Sequence, residues 1–131
     1  MHAPSQSLYR KYLMPNYIDL PAHYLALLQA LFARHAPEAE VWAFGSRVTG
    51  EAHEGSDLDL VVRNPQDLNA SVAGWLDLKE AIQHSTLPIL VDVHDWAHLP
   101  KTFHQEISAH YIVLQHGGRT VDSPAAGRAG V

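Results

Sequence analysis

Val41-Trp42-Ala43-Phe44 leads into Gly45-Ser46-Arg47-Val48-Thr49-Gly50-Glu51-Ala52-His53-Glu54-Gly55-Ser56 and then Asp57-Leu58-Asp59-Leu60-Val61-Val62. Two short apolar runs flank a polar, glycine-punctuated segment, which predicts strand, loop, strand. Side chains alternate across a strand, so Asp57 and Asp59 share one face while Leu58 and Leu60 share the other. Two carboxylates this close repel each other unless a cation sits between them. The chain has no cysteine, and oxygen ligands favour a hard dication, Mg²⁺ or Mn²⁺.

Outward from this core the hydrophobic period changes repeatedly. Upstream, Asp19-Leu20-Pro21 opens a helix in which Tyr24, Leu27, Leu28, Leu31 and Phe32 recur at helical spacing, and Pro37 ends it. Downstream, Asn64-Pro65 breaks the strand. A helix is expected from about Leu68 to His84, with Val72, Trp75, Leu76 and Ile82 facing inward. Pro88 precedes a third strand, Ile89 to Val93. Pro100 opens a last helix through Phe103 and Ile107, and Ile112-Val113-Leu114 is expected as an edge strand. Helices alternating with strands imply an α/β (α+β) domain, with helices packed on a small mixed sheet of three to four strands. We place this domain at residues 19–116, after an N-terminal extension over 1–18. Residues 117–131, rich in Gly, Pro and Ala, are expected to form a flexible tail, because they offer little apolar surface against the entropy of ordering.

The third strand repeats the logic of the second. Val91 and Val93 face one side and Asp92, between them, faces the other. A carboxylate in an apolar strand is costly unless paired or metal-bound. If the second and third strands are neighbours, Asp92 meets Asp57 and Asp59. Asp95 has the opposite parity and ranks second as the third carboxylate. At the front of the loop, Gly45 lets a ligand approach the backbone. Ser46 adds a hydroxyl, and Arg47 can add charge-assisted bonds to phosphate. A phosphate cradle beside metal-binding carboxylates is what in-line phosphoryl transfer requires, one ion activating the attacking hydroxyl and a second neutralising the leaving pyrophosphate.

Composition narrows the alternatives. Nine Lys and Arg against 14 Asp and Glu give a net charge of −5, which argues against direct nucleic-acid binding through a basic patch. It does not oppose a nucleoside triphosphate, whose charge a metal would balance. No apolar run approaches the roughly 18 residues of a membrane helix, and the first residues lack a signal-peptide pattern. The expected location is the cytoplasm. Ten histidines are present. His94 and His98 are four apart with His104 nearby, which raises a zinc site, but the segment passes from strand to loop, and surface histidines are the preferred reading. His53 lies in the loop as a neighbour of phosphate. Lys79 is read as part of a solvated helix face.

Gly45-Ser46, ten residues, then Asp57-Leu58-Asp59 resembles the signature of the minimal nucleotidyltransferase family within the DNA polymerase β superfamily, and the resemblance covers about residues 19–115. It implies a polymerase β-like nucleotidyltransferase core. It implies that Asp57 and Asp59 bind two Mg²⁺ ions, that Asp92 ligates the catalytic one and helps deprotonate the acceptor, and that Gly45 and Ser46 hold the triphosphate. Larger members carry an added acceptor domain, for which this chain is expected to have no room. Members of this size look like antitoxins paired with a HEPN-domain ribonuclease toxin, some of which transfer AMP from ATP to a toxin tyrosine. The expected partners are therefore ATP and a HEPN toxin, in a hetero-oligomer with the toxin or a homo-oligomer. The alternatives are an antitoxin acting by binding alone and an enzyme modifying a small molecule such as an antibiotic.

Overall fold

The computed structural model describes residues 17–117 and 119–120. The expectations for the N-terminal extension and the tail fall mostly on residues 1–16, 118 and 121–131, outside those described.

Helix α1 spans Ala22–His35 behind Pro21 and buries Leu25, Leu28 and Phe32. Leu28 and Phe32 belong to the expected stripe, Leu25 joins them, and Tyr24, Leu27 and Leu31 flank them partly buried. Ala36 leaves the helical region because it precedes Pro37. Strand β1 (Glu40–Phe44) follows, then one helical turn, α2 (Ser46–Thr49), inside the segment expected to be loop. Strand β2 (Leu58–Arg63) returns antiparallel to β1, with Trp42 opposite Val61 and Phe44 opposite Asp59. Helix α3 (Trp75–Gln83) lies in the crossover to β3 (Val91–Asp95), which pairs parallel with β2. A 3₁₀ turn (Trp96–His98), helix α4 (Lys101–Ala109) and strand β4 (Tyr111–His116) complete the core, and a two-residue strand β5 (Arg119–Thr120) pairs with β4.

The mixed sheet has the order β3-β2-β1-β4-β5. The four main strands match the expected number, with β5 as a short addition in the segment expected to be tail. Because of β5, β4 is not at the edge: β1 flanks it on one side and β5 on the other.

Strand alternation gives the sheet two different faces. Val41, Ala43, Leu58, Leu60, Val62 and Val93 pack against α1 and α3 in the main core. Trp42, Phe44 and Val61 face the other way, towards Trp96 and Ile107, with Phe103 packed against them. On that second face Arg63 lies over Trp42 and Trp96, 4.0 and 4.4 Å from the ring centroids, and pairs with Glu40 at 2.6 Å.

Three expectations shift. Helix α3 begins at Trp75 rather than Leu68. Gly74 precedes it at φ +87°, and a Cβ there would run into the carbonyl oxygen of His35 at the end of α1, so the turn into α3 requires glycine. Leu76, expected inward, is 63% exposed, and Leu78 is buried in its place. At about 100° per residue Leu76 sits about 120° round the helix from Ile82 and Leu78 within about 40° of it. The inward stripe is therefore Leu78 and Ile82, with the expected Val72 buried just before the helix and Trp75 packed against the same core. The third strand runs two residues later than expected, Val91–Asp95, so Asp95 ends the strand rather than lying beyond it; side-chain parity is unchanged.

Candidate active site

The start of β2, the start of β3 and the end of β1 meet at one end of the sheet. Asp59 is in register with Asp92 across the parallel pair and with Phe44 across the antiparallel one. Both aspartates therefore project from the second face, at the side where Gly45 turns the chain out of β1. Gly45 has φ +85°, and a Cβ built on it would stand 2.5 Å from Asp59 Oδ2. Glycine is required here on two counts: the backbone conformation is one that L side chains rarely adopt, and the carboxylate comes up against the turn.

Among the described residues, one ligand atom each from Asp59, Asp92 and His94 can lie within 4.8 Å of one another. Asp59 is partly buried and the Asp92 side chain is 61% exposed. His94 Nε2 stands 3.6 Å from Asp92 Oδ2. Burial pushes the Asp59 carboxyl above its ordinary range; the nearby Asp92 and Asp57 add to this, while His94 opposes it. A carboxylate that is desolvated beside like charges is a good ligand for a dication, which would relieve both costs.

The expected residues are not all placed alike. Asp59 and Asp92 come together. Asp57 precedes β2, is exposed, and is not among the three residues whose ligand atoms gather, although it is close enough to act on Asp59. Ser46 begins α2 directly after Gly45. Asp95 points the opposite way from Asp92 and is buried, accepting from Ser71 Oγ and from the Ala97 N–H at 3.4 Å, with His98 Nδ1 at 2.5 Å.

Arg47 is the clearest departure. Expected to reach phosphate, it is 5% exposed. Its Nη1 donates to the Asp19 carbonyl at 2.7 Å, Nη2 to Glu54 and Ser56 at 3.2 and 2.9 Å, and Nε to Ser56 at 3.1 Å. The Asp19 N–H donates in return to the Arg47 carbonyl at 2.7 Å. The guanidinium thus laces the loop to the entry of α1 and fixes how the Gly45–Ser56 segment leads into Asp57. Arg47→Lys is expected to destabilise the fold by about 2 kcal/mol, because an ammonium cannot span three carbonyls and buried acceptors left unpaired cost roughly 1–3 kcal/mol each. Urea denaturation checks this; an unchanged midpoint would mean that the loop is held elsewhere.

Sequence reasoning weighed His94 only with His98 and His104. The structure separates the three: His98 turns to Asp95, and His104 stacks on Trp96 at 3.8 Å and meets its carbonyl at 2.7 Å. The missed signal is parity, since His94 lies two residues from Asp92 on the same strand.

The chain is similar to known proteins in sequence and in fold. The family described as polymerase beta, nucleotidyltransferase matches residues 28–116. A Haemophilus influenzae protein named probable protein adenylyltransferase MntA is 38% identical over 109 residues, covering 83% of this chain and 94% of that protein. A chain from the crystal structure of a toxin–antitoxin with AMP-PNP shares the fold, with a TM-score of 0.56 at 19% identity over 72% of this chain and 73% of that one. No helix among the described residues is long and apolar enough to cross a membrane. With a family match over most of its length and a relative this similar, the chain belongs to the polymerase β nucleotidyltransferase family and is a nucleotidyltransferase.

Proposed function

We propose that the protein transfers AMP from ATP, with Mg²⁺, to a tyrosine of a HEPN-type ribonuclease toxin, and so acts as its antitoxin. The observation that carries this reading is the register of Asp59 against Asp92 beside Gly45, which sets two carboxylates at a turn with no side chain to block a ligand. The 38% identity to a protein named as a probable protein adenylyltransferase supports a protein acceptor.

Asp59, Asp92 and Asp57 would hold the metal, with Asp59 central because it is the most desolvated of the three. Bound Mg²⁺, as one ion or two, would supply positive charge to the triphosphate and to the phenolate oxygen of the acceptor. Gly45 and Ser46 would hold the phosphates, Gly45 by close approach of its backbone. Arg47 supports that cradle from behind through the loop carbonyls. The acceptor oxygen forms its bond to the α-phosphorus as the bond to the β-phosphate breaks and pyrophosphate leaves. Asp92 Oδ accepts the acceptor's proton. Asp92 lies on β3, the last strand of the sheet, so a large partner can reach it. Phosphoryl transfer depends mainly on positioning and electrostatics, and a docked partner would supply the positioning. A phosphate ester on a tyrosine near the toxin's ribonuclease site would repel RNA phosphates.

Incubation of the partner toxin with this protein, ATP and Mg²⁺ is expected to add whole AMP units to the toxin's intact mass. A toxin silenced without any mass change would point to neutralisation by binding alone. Modification of an aminoglycoside or another small alcohol, with the toxin left untouched, would assign the site to a small acceptor.

A further inference from the structure

We propose that His94 is a direct ligand of the dication at the Asp59–Asp92 site, and that its imidazole nitrogen makes the site prefer a first-row transition metal over Mg²⁺. The inference rests on reading Asp59 and Asp92 as metal ligands, and it adds a third ligand of a different chemical class.

Geometry carries it. His94 follows Asp92 by two residues on β3, so both side chains project from the same face of the sheet. Together with Asp59 they place one nitrogen and two oxygens within 4.8 Å of one another. The 3.6 Å between His94 Nε2 and Asp92 Oδ2 is long for a direct hydrogen bond. A six-coordinate ion with bonds of about 2.1 Å sets adjacent ligand atoms roughly 3.0 Å apart, so a small closing movement of the exposed Asp92 side chain would bring the pair onto one ion. The ring is also held in place. Phe44, the residue paired with Asp59, lies 5.7 Å from its centroid, and Phe103 of α4 lies 5.9 Å away, edge to face. The other carboxylate and histidine of this segment do not compete, because Asp95 is buried on the opposite side of β3 and takes His98 with it.

The donor set decides the preference. Mg²⁺ takes oxygen ligands and gives up its water reluctantly, whereas imidazole suits transition-metal dications. A neutral nitrogen also adds no negative charge beside Asp57, Asp59 and Asp92, where a further carboxylate would add repulsion.

Mn²⁺ titrated into the chelator-treated full chain, followed by loss of the free-ion electron paramagnetic resonance signal, measures the affinity without any need for turnover. Pulsed measurement on the bound ion reads ¹⁴N coupling from a coordinated imidazole. His94→Phe keeps a ring between Phe44 and Phe103 but has no nitrogen. It is expected to weaken Mn²⁺ binding at least about tenfold, since loss of even an outer partner of a ligand costs 10–100-fold. Mg²⁺ affinity, from competition, is expected to stay within about twofold, and the ¹⁴N coupling is expected to vanish. Absence of ¹⁴N coupling in the unmutated protein, or equal Mn²⁺ affinity in His94→Phe, would overturn the role of His94. The first of these needs no variant to fold. Asp59→Asn separates the two readings: if it binds Mn²⁺ as the unmutated chain does, the metal is not at these carboxylates at all, and if it loses Mn²⁺ while His94→Phe does not, only the His94 assignment fails.

Discussion

Asp59→Asn is expected to reduce nucleotidyl transfer by about 10³ or more while making the metal-free protein more stable at neutral pH. The loss follows from the place of Asp59 among the gathered ligand atoms, within reach of Asp57 as well as Asp92 and His94. Metal stabilisation of transition-state charge is worth several kcal/mol, and about 4 kcal/mol corresponds to about 10³ in rate. The gain in stability follows from the raised pKa of this carboxyl, caused first by burial and then by Asp92, with His94 opposing and Asp57 adding less than either neighbour. The folded state holds the Asp59 proton more tightly than the unfolded state does. Its contribution to stability is therefore complete below the ordinary value of 3.8 and is lost as pH rises through the raised folded value. An asparagine never ionises, so the advantage of the variant should open as pH rises from 3.8 towards the folded value, be complete above it, and close in acid. Melting temperatures in chelator across this pH range, with transfer assays in Mg²⁺, test both halves. Full activity in the variant would remove Asp59 from the site, and a stability difference that grows towards acid would reverse the electrostatic account.

The second large effect separates two aspartates three residues apart. Asp92→Ala is expected to lose transfer by about 10²–10³, the scale of a lost metal ligand, with little change in melting temperature, since its side chain is 61% exposed. Asp95→Ala is expected to do the reverse. Its carboxylate is buried and accepts from Ser71 Oγ and the Ala97 N–H, with His98 also against it. Its removal should cost about 1–2 kcal/mol, because hydrogen bonds from the partly buried Ser71 and Ala97 and the contact with the exposed His98 are lost. Transfer per folded molecule should survive. Urea midpoints alongside single-turnover rates read the two effects separately. A folded Asp95→Ala protein without activity would mean that the two faces of β3 have been exchanged, a register error of one residue.

The strand parities behind both predictions are legible in the chain before any fold is known. The side-chain period of a strand is two, so Asp59 opposes Leu58 and Leu60, and Asp92 opposes Val91 and Val93, wherever those strands end. That is why moving β3 from 89–93 to 91–95 leaves Asp92 on the same face. Helix phase is less forgiving. With 3.6 residues per turn, Leu78 and Ile82 share the inward face of α3, and Leu76, about 120° round from Ile82, points to solvent. The start of α3 at Trp75 rather than Leu68 depends on Gly74 passing close to the His35 carbonyl, a contact between residues 39 apart in sequence.

What the sequence determined by itself is therefore local: the glycine turn after β1, the apolar stripe of α1, and the faces on which Asp59 and Asp92 lie. These follow from steric limits and periodicities that act over a few residues. Tertiary structure alone decided which strands are neighbours, and hence that Asp59 meets Asp92 and that His94 joins them while His98 leaves for Asp95. It also decided the task of Arg47. A basic residue after Gly-Ser is equally suited to phosphate and to backbone carbonyls, and only the approach of Asp19, Glu54 and Ser56 turned it inward. A buried guanidinium takes whichever acceptors the folded chain brings within reach, because leaving its donors unpaired would cost more than any single contact returns.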